Sequence, residues 1–556
     1  MRALSAAEMQ TCDRVTTERF GVPSIRLMRN ASAVVAAVAQ AQFPRARRVT
    51  VLCGRGNNGG DGMMTAQWLA ATGIAVTVLL LGSPEALKGD AAAAFQELQA
   101  AGCCRIAVVG SETDLAQHTG ELDADLLIDA VLGTGFKPPL RGIALAVLQW
   151  IQKSRAPVLA IDLPSGWPAD EVRSRPDTPV FPADAVVTFT APKPAHLFGE
   201  LTRLWGQPII VAPIGSPEEA IVSELGIHWG GSAQALLHQP RKPEANKGNF
   251  GHVLVVGGSF GLAGGKSGAP TMTSLAAMRA GAGLVTAAVP AAALSVVASF
   301  APELMTVPLK ANESGEIVSE NLEGEGLTSL TRGITVLALG PGMGQGPGIR
   351  SFQTRLLVGT KMPCVIDADG LNNLAAADLS SNSAFLAELA KDGRTVVLTP
   401  HPGEMARLAG ISISKVQADR LTVARDFALK HRVTLVLKGA RTLIAHPDGR
   451  VAVNTTGNPG MAKGGSGDLL TGVIAGLLAQ FKEDHARAIE AAVFLHGLAG
   501  DLAVREMDEH TLLATDTLSK FSRAFRFHSQ TDSGYVWLQG IPAEVQAAKR
   551  SREAAE

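Results

Sequence analysis

Short, nearly unbroken runs of Val, Ile, Leu and Ala, each closing on glycine, proline or a carboxylate, set the strongest limit on how this chain can fold. The first series is RVTVLCG (48–54), GIAVTVLLLG (73–82), DLLIDAVLG (125–133), PVLAIDLPSG (157–166) and DAVVTFTAP (184–192). An apolar run without polar alternation is a strand covered on both faces. The Ala-rich stretches between runs are long enough for helical crossovers, so the pattern predicts an α/β fold with a doubly wound parallel sheet. A second series follows: HVLVVGGS (252–259), ITVLALGPGMG (334–344), CVIDADG (364–370), TVVLTPHPGE (395–404) and VTLVLKGART (433–442). Between the series, over 205–250, periodicity loosens into the polar LHQPRKPEANKGNFG, which places a boundary near 225–240. The 556 residues therefore divide into two enzyme-sized domains, 1–225 and 230–526, and a polar tail, 527–556. That tail ends AAKRSREAAE and is expected to be a frayed helix or disordered from about Gln530.

Composition narrows the function classes. A formal charge of −1 gives no reason to expect a nucleic-acid partner, and small molecules are the expected ligands. Five cysteines, an odd number without C-x-x-C spacing, read as free thiols in a reducing cytosol; the vicinal Cys103-Cys104 pair cannot chelate zinc alone. The start of the chain has no apolar signal-peptide core, and the apolar run Leu284 to Ala301, broken by Pro290, reads as strand, turn and helix. A cytoplasmic enzyme with no membrane partner is the expectation.

In the first domain, Gly54, Gly56 and Gly59 satisfy G-x-G-x-x-G directly after a strand. A dinucleotide fold would then need an acidic residue closing the second strand, but Gly82, Ser83 and Pro84 follow Leu81, which counts against ordinary dinucleotide binding. Asn57, Asn58 and Asp61 beside the glycines, with Asp129 and Asp162 at two further strand ends, converge on the sheet edge where ligands bind. The plainer alternative is that Asp129 and Asp162 cap the helices that follow them.

In the second domain, GLAGGKSGAP ends like a P-loop, but Phe260 stands where the first glycine is required, and Lys266 reads as a solvated loop lysine. The better phosphate cradle is GNPGMAKGGSGDLLTG (457–472). Leu469, Leu470, Val473, Ile474, Leu477 and Leu478 form a one-sided helical stripe, so Gly464, Gly465 and Gly467 lie at a helix N-terminus, where free N–H groups face an anion. Asp468 in the first turn is expected to stay ionised and to accept a proton from a hydroxyl; the alternative is a carboxylate that only complements the helix dipole. His401 alone would be a loop histidine, but TPHPGE fixes it between two prolines at a strand end.

Over roughly 1–215, GNNGGDG, DAVLGTGFKPP, IDLPSG and the N-terminal LSAAEMQTCDR…LMRNA resemble the NAD(P)H-hydrate epimerase family, which implies a Rossmann-like sheet. By that resemblance Asn57, Asn58, Gly59, Gly60, Asp61, Gly133, Thr134, Gly135, Phe136, Lys137, Pro138, Pro139 and Asp162 hold the hydrated nucleotide. It also implies a K+ ion bound through Asn58, Asp129 and Ser165, all hard oxygen ligands. Asp162 is the implied acid/base, with Lys137 as a compensating charge, and Arg29 departs from the family's usual glutamate.

From about 240 to 525, NKGNFGHVLVVGGS, GPGMG, DADGLN, TPHPGEMARL, LKGARTLI and GNPGMAKGGSGD resemble the ADP/ATP-dependent NAD(P)H-hydrate dehydratases, of ribokinase-like fold. The resemblance implies that Ala269, Gly344, His401 and Asp468 contact the hydrate. Lys438, Gly439, Ala440, Arg441, Thr442 and Gly467 would hold ADP or ATP with Mg2+. The expectation is thus a bifunctional repair enzyme, and a homo-oligomer. It would epimerise NADHX and NADPHX, the R and S hydrates of the reduced cofactors, and dehydrate the S form. The competing reading is a small-molecule kinase fused to a non-catalytic binding module.

Overall fold

The computed structural model describes residues 1–261, 264–376 and 379–542, the side chains of 379–382 excepted. The chain forms two compact units, dividing between Ile227 and His228; the first comprises Met1–Ile227 and the segment from His528.

Unit 1 holds β1 (Arg48–Cys53), β2 (Ala75–Leu81), β3 (Arg105–Val109), β4 (Leu126–Ala130), β5 (Val158–Ile161), β6 (Ala185–Phe189) and β7 (Ile209–Ala212). They lie in the order β7-β6-β5-β4-β1-β2-β3, every pairing parallel. Alternate residues feed two separate cores. Val51, Val78, Leu80 and Ile128 face one layer of helices, while Leu52, Leu79 and Leu127 face Val147 and Trp150 on the other. That is the doubly covered sheet the apolar runs predict. The chain travels outward from β1 to β3 and then crosses back to β4. The strand order therefore reverses between β1 and β4, and a crevice opens beyond their carboxyl ends. Glycine is required there by close approach. A Cβ on Gly54 would stand 2.0 Å from Val131 O, and one on Gly59 1.9 Å from Gly54 O. The glycine fingerprint thus serves to seat the Asn57–Ala71 helix against the β1 and β4 loops.

The tail expectation is corrected where it is described. Val536–Gln539 is a buried strand that pairs antiparallel with β7, Trp537 opposite Ile210. Trp537 joins the larger core of unit 1. The reason is physical: β7 would otherwise present an unpaired sheet edge. The AAKRSREAAE expectation lies outside the described residues.

Unit 2 is built on β8 (Ile227–Trp229), β9 (His252–Val256), the small hairpin β10 (Phe260–Gly261) and β11 (Gly264–Gly265), β12 (Leu284–Pro290) and β13 (Met305–Leu309). It continues with β14 (Val336–Leu339), β15 (Cys364–Ile366), β16 (Val396–Leu398), β17 (Thr434–Leu437), β18 (Leu443–Ala445) and β19 (Val451–Val453). The main sheet has the order β13-β12-β9-β14-β15-β16-β17-β18-β19-β8, parallel from β13 to β17 and antiparallel through β17, β18 and β19. Its reversal falls between β9 and β14, where a Cβ on Gly257 would stand 2.3 Å from Pro341 O.

The Ser466–Gln480 helix departs from the expected one-sided stripe: every residue from Leu469 to Ala479 is buried. Its partner on one side is the Gly268–Arg279 helix, and a Cβ on Gly472 would stand 2.1 Å from Thr273 O, so the two backbones pack without intervening side chains. Leu284 to Ala301 forms the strand, 3-10 turn and helix expected of it. Among the described residues no helix is long and apolar enough to cross a membrane.

Truncating Trp537 should test the closing strand. Trp537→Ala is expected to destabilise unit 1 by about 3–5 kcal/mol, the range for large-to-small changes in cores. Denaturant unfolding reads the loss, and hydrogen exchange should show faster opening of β7; unchanged protection there would mean the strand contributes nothing to the edge.

Candidate active sites

In unit 1 a cavity of about 810 Å³ opens beyond β1, β4 and β5. Of the residues expected from sequence, Asn57, Asn58, Asp61, Gly133, Thr134, Gly135, Phe136 and Asp162 form its walls. Gly59 and Gly60 are buried beneath the loop, and Lys137, Pro138 and Pro139 are exposed beyond the walls.

Asp162 follows β5 in a left-handed conformation, φ 66°, which a non-glycine residue holds only when its surroundings impose it. Those surroundings are visible. Its Oδ1 accepts from Lys193 Nζ at 2.9 Å and Thr188 Oγ1 at 2.9 Å, and its Oδ2 accepts from Thr134 N at 3.0 Å. Its carbonyl faces His196 Nε2 at 2.7 Å, while His196 Nδ1 accepts from Lys193 N at 3.0 Å. That pattern puts the imidazole hydrogen on Nε2, and burial together with Lys193 keeps the ring neutral, pushed down to about 4. Burial works to raise the Asp162 carboxyl, but Lys193, His196 and Thr188 outweigh it and hold the group below the usual carboxylate range. The compensating cation expected at Lys137 is therefore Lys193, which is buried against Asp162; Lys137 is exposed.

Two other acids in this cavity behave oppositely. Burial pushes Asp13 up to about 6, with Lys193 opposing and Asp162 adding to the rise. Burial, then Asp162, Asp13 and Asp90, carries Asp61 well above its usual range. Asp13 Oδ1 and Asn58 Nδ2 are buried without hydrogen-bond partners among the described residues.

Asp129 does not cap a helix: its Oδ1 accepts from Ser165 Oγ at 2.6 Å and Val131 N at 3.2 Å, and its Oδ2 from Ser165 N at 2.7 Å. Burial still pushes it up to about 6 against those bonds, and no cation among the described residues offsets that burial. Asn58 stands nearby on the β4 loop side, since a Cβ on Gly133 would lie 3.3 Å from Asn58 Cγ and 3.2 Å from Asp162 Oδ2. Arg29 has a plain structural role, pairing with Glu97 at 2.7 Å.

In unit 2, Asp468 sits in the first turn of the Ser466–Gln480 helix, capped by Gly465 at φ 93°. Burial and the nearby Asp367 push it up to about 6, with Lys438 opposing. It is thus more easily protonated than the fully ionised carboxylate expected, though still charged at neutral pH. Lys438 Nζ pairs with Asp367 Oδ1 at 2.8 Å and lies 3.8 Å from Glu404 Oε2. Thr471 Oγ1 donates to Asp367 Oδ2 at 2.8 Å. A Cβ on Gly467 would stand 3.4 Å from Lys438 Nζ and 3.6 Å from Asp367 Oδ2, so glycine keeps open the space between helix end, lysine and carboxylate.

The other expected residues gather around this point. His401 Nδ1 accepts from Gly403 N at 3.0 Å, capping the Pro402–Ala409 helix, and burial followed by Lys438 and Arg407 lowers its basicity. Thr273 Oγ1 donates to both Ala269 O and Asp468 O at 3.0 Å, tying the two helix starts together. Gly344 N donates to Asp369 Oδ2 at 3.0 Å, and the same oxygen takes Lys266 Nζ at 3.0 Å. Lys266 is exposed, as expected of a loop lysine, and is in addition ion-paired with Asp369. The Gly439–Thr442 loop is held by Arg420, which donates to Ala440 O and Leu437 O, while Arg441 is buried at φ 55°. A cavity of about 1370 Å³ in this unit is lined by Arg279, Gly281 and Gln480 at the other ends of the two helices, and Asp468 is not among its lining residues.

Sequence reasoning missed Thr188, Lys193, His196 and Asp13 in unit 1 and Lys266, Asp367, Asp369, Glu404 and Thr471 in unit 2. Asp367 carried the signal already used for Asp129 and Asp162, a carboxylate closing an apolar run. Lys193 follows a strand between two prolines, a weaker sign, and Asp13 has none in a single sequence. No group of three or more His, Cys, Asp or Glu side chains suited to a metal ion occurs among the described residues.

Residues 24–195 match the family described as YjeF-related protein N-terminus, and residues 253–523 match NAD(P)H-hydrate dehydratase. The bifunctional NAD(P)H-hydrate repair enzyme Nnr of Moorella thermoacetica is 40% identical over 527 residues, 93% of this chain and 95% of that protein. The Nnr enzyme of Thermofilum pendens is 34% identical over 95% of this chain and 96% of its own length, and that of Escherichia coli K12 34% over 93% of each. With both family regions in one chain and similarity along nearly all of it, the chain belongs to the bifunctional NAD(P)H-hydrate repair enzyme family.

Proposed function

We propose that unit 1 interconverts the R and S hydrates of NADH and NADPH, and that unit 2 dehydrates the S hydrate to the reduced cofactor at the expense of ADP or ATP. The observation that carries this reading is Asp468 at the glycine-lined start of a buried helix, beside the Lys438–Asp367 pair. Hydroxide is a poor leaving group, so the alcohol is best activated by phosphorylation. Asp468 takes the hydroxyl proton, and the helix N–H groups and Lys438 receive the charge on the transferred phosphoryl group. Loss of phosphate and of a proton from the adjacent carbon restores the dihydronicotinamide ring. Ala269, Gly344 and His401 contact the hydrate; Lys438 to Thr442 and Gly467 hold the adenine nucleotide.

The acids fit Mg2+ on the nucleotide phosphates, since Asp367 and Asp369 add to the rise at Asp468, a surplus of negative charge beyond what Lys438 offsets. Bound there, Mg2+ neutralises phosphate charge. In unit 1 the loop residues Asn57, Asn58, Asp61 and Gly133 to Phe136 bind the hydrate, and Asp162 moves protons. Asn58, Asp129 and Ser165 suit K+, because Asp129 is a buried carboxylate with no offsetting cation among the described residues. K+ held by these oxygens would supply the positive charge that Asp129 lacks. A reducing cytosol fits five free cysteines, and self-association belongs to the same reading.

The deciding assay incubates the protein with mixed hydrates, with and without ADP or ATP. Full return of reduced-nicotinamide absorbance with release of inorganic phosphate is expected. A stable phosphorylated product would make unit 2 an ordinary kinase, and recovery limited to one epimer would leave unit 1 a binding module. Asp468→Asn should lower dehydration kcat by roughly 100-fold to 10,000-fold, the usual contribution of a positioned base. Since that base works ionised and is pushed up to about 6, wild-type dehydration should fall as pH drops through about 6. Lys193→Met, by leaving Asp162 buried and unpaired, should cost about 3–5 kcal/mol of stability. It should also move the acid limb of epimerisation to higher pH; an unmoved limb would remove Lys193 from the role of counter-charge.

A further inference from the structure

Inversion at the hydroxyl-bearing carbon needs two proton-transfer groups, one for what leaves and one for what arrives. Asp162 supplies only one. Three donors, from Lys193, Thr188 and Thr134, fix both its oxygens as acceptors, so it is held as the ionised partner. The group carrying the mobile proton has to come from another wall of the cavity.

The Ala6–Glu18 helix forms such a wall and presents Asp13 to the cavity. Asp13 has no structural task that explains it. The helix is capped by Ser5 with Glu8, and Asp13 has no ion-pair partner among the described residues. Its Oδ1 is buried without a hydrogen bond, although Lys193 and Asp162 are close enough to act on it electrostatically. A half-buried carboxyl with one oxygen buried and unpartnered beside a reaction cavity is a costly arrangement unless a ligand completes it.

We propose that Asp13 is the second acid/base group of unit 1, working with Asp162 to break and remake the carbon–oxygen bond of the hydrate. The inference rests on the epimerase reading of that unit. In one direction the Asp13 carboxyl gives its proton to the hydroxyl oxygen. The carbon–oxygen bond breaks, water leaves, and the ring-nitrogen lone pair forms a carbon–nitrogen double bond. Water then adds to the opposite face and passes a proton to Asp162, while the electron pair returns to nitrogen. The reverse inversion retraces these steps, Asp162 carrying a proton only while the hydrate is bound, and exchange with solvent returns the resting state, Asp13 protonated and Asp162 ionised. The opposite electrostatic settings of the two acids suit this division, Asp162 held ionised and Asp13 pushed up to about 6.

The test uses the full chain and one purified epimer in oxygen-18 water, without ADP or ATP. Wild type should take up one solvent oxygen per inversion. Asp13→Asn should lower the inversion kcat by at least about 100-fold with hydrate Kd within a few-fold, and Asp13→Glu should recover part of the rate. Inversion with the original oxygen retained would overturn the proposed step, a readout that needs no variant to fold. Inversion by a folded Asp13→Asn at the wild-type rate, or a loss seen only in Kd, would remove Asp13 from the chemistry. Failure of wild type to invert at all would instead reject unit 1 as an epimerase.

Discussion

A lysine paired with a buried aspartate at a strand end is the constraint around which each site is organised: Lys193 on Asp162 in unit 1, Lys438 on Asp367 in unit 2. Two charges withdrawn from water persist only when geometry and further hydrogen bonds satisfy them. Both pairs meet that condition through a threonine, Thr188 beside the first and Thr471 beside the second. The pairs then set the protonation of what lies around them. Lys193 keeps Asp162 ionised and adds to the burial that keeps His196 neutral, while Lys438 partly offsets the burial and the acids that raise Asp468. Removing either lysine would alter the charge of a whole cluster, which makes these residues central although neither carries the proton chemistry.

The same logic accounts for the backbone. Asp162 and Arg441 adopt left-handed conformations without being glycine, as does Ala368 between Asp367 and Asp369. Each lies at a site loop, and each is held by a dense local network. His196 Nε2 on the Asp162 carbonyl and the Arg420 contacts around Ala440 are the clearest restraints. A loop held in an unfavoured conformation gains fixed geometry at the expense of local stability, the usual trade at reactive centres.

Much of this was legible in the sequence, for identifiable reasons. The central strands are buried on both faces, so their runs stood out, and the carboxylates closing them marked the sheet edge. What escaped lies where burial is partial or the partners are distant. β3 has exposed Arg105 and Val108, half-buried Ile106 and Ala107, and only Val109 buried. β7 is only four residues long, and Val536–Gln539 hides among polar neighbours. The Ser466–Gln480 helix, buried all round from Leu469 to Ala479, reads as one-sided in sequence because alanine and glycine complete its other faces. Lys193 escaped because its role depends on Asp162, thirty-one positions away, a pairing that folding alone reveals. Lys137 was expected from its place in the loop sequence, but its side chain is exposed and the lysine paired with Asp162 is Lys193.

The return of Val536–Gln539 to β7 makes the two units nested in the chain rather than consecutive. During synthesis, residues 228–527 leave the ribosome while the first sheet still lacks its edge strand, so the inner unit can finish folding before the outer one. A gene cut after Ile227 would not separate two self-sufficient enzymes; the first fragment would carry an open edge prone to pairing with other chains. Dissecting the activities by truncation therefore calls for joining the returning segment to the first fragment. A fusion of this kind also links the supply of finished epimerase to completion of the dehydratase, one copy of each per pass of the ribosome.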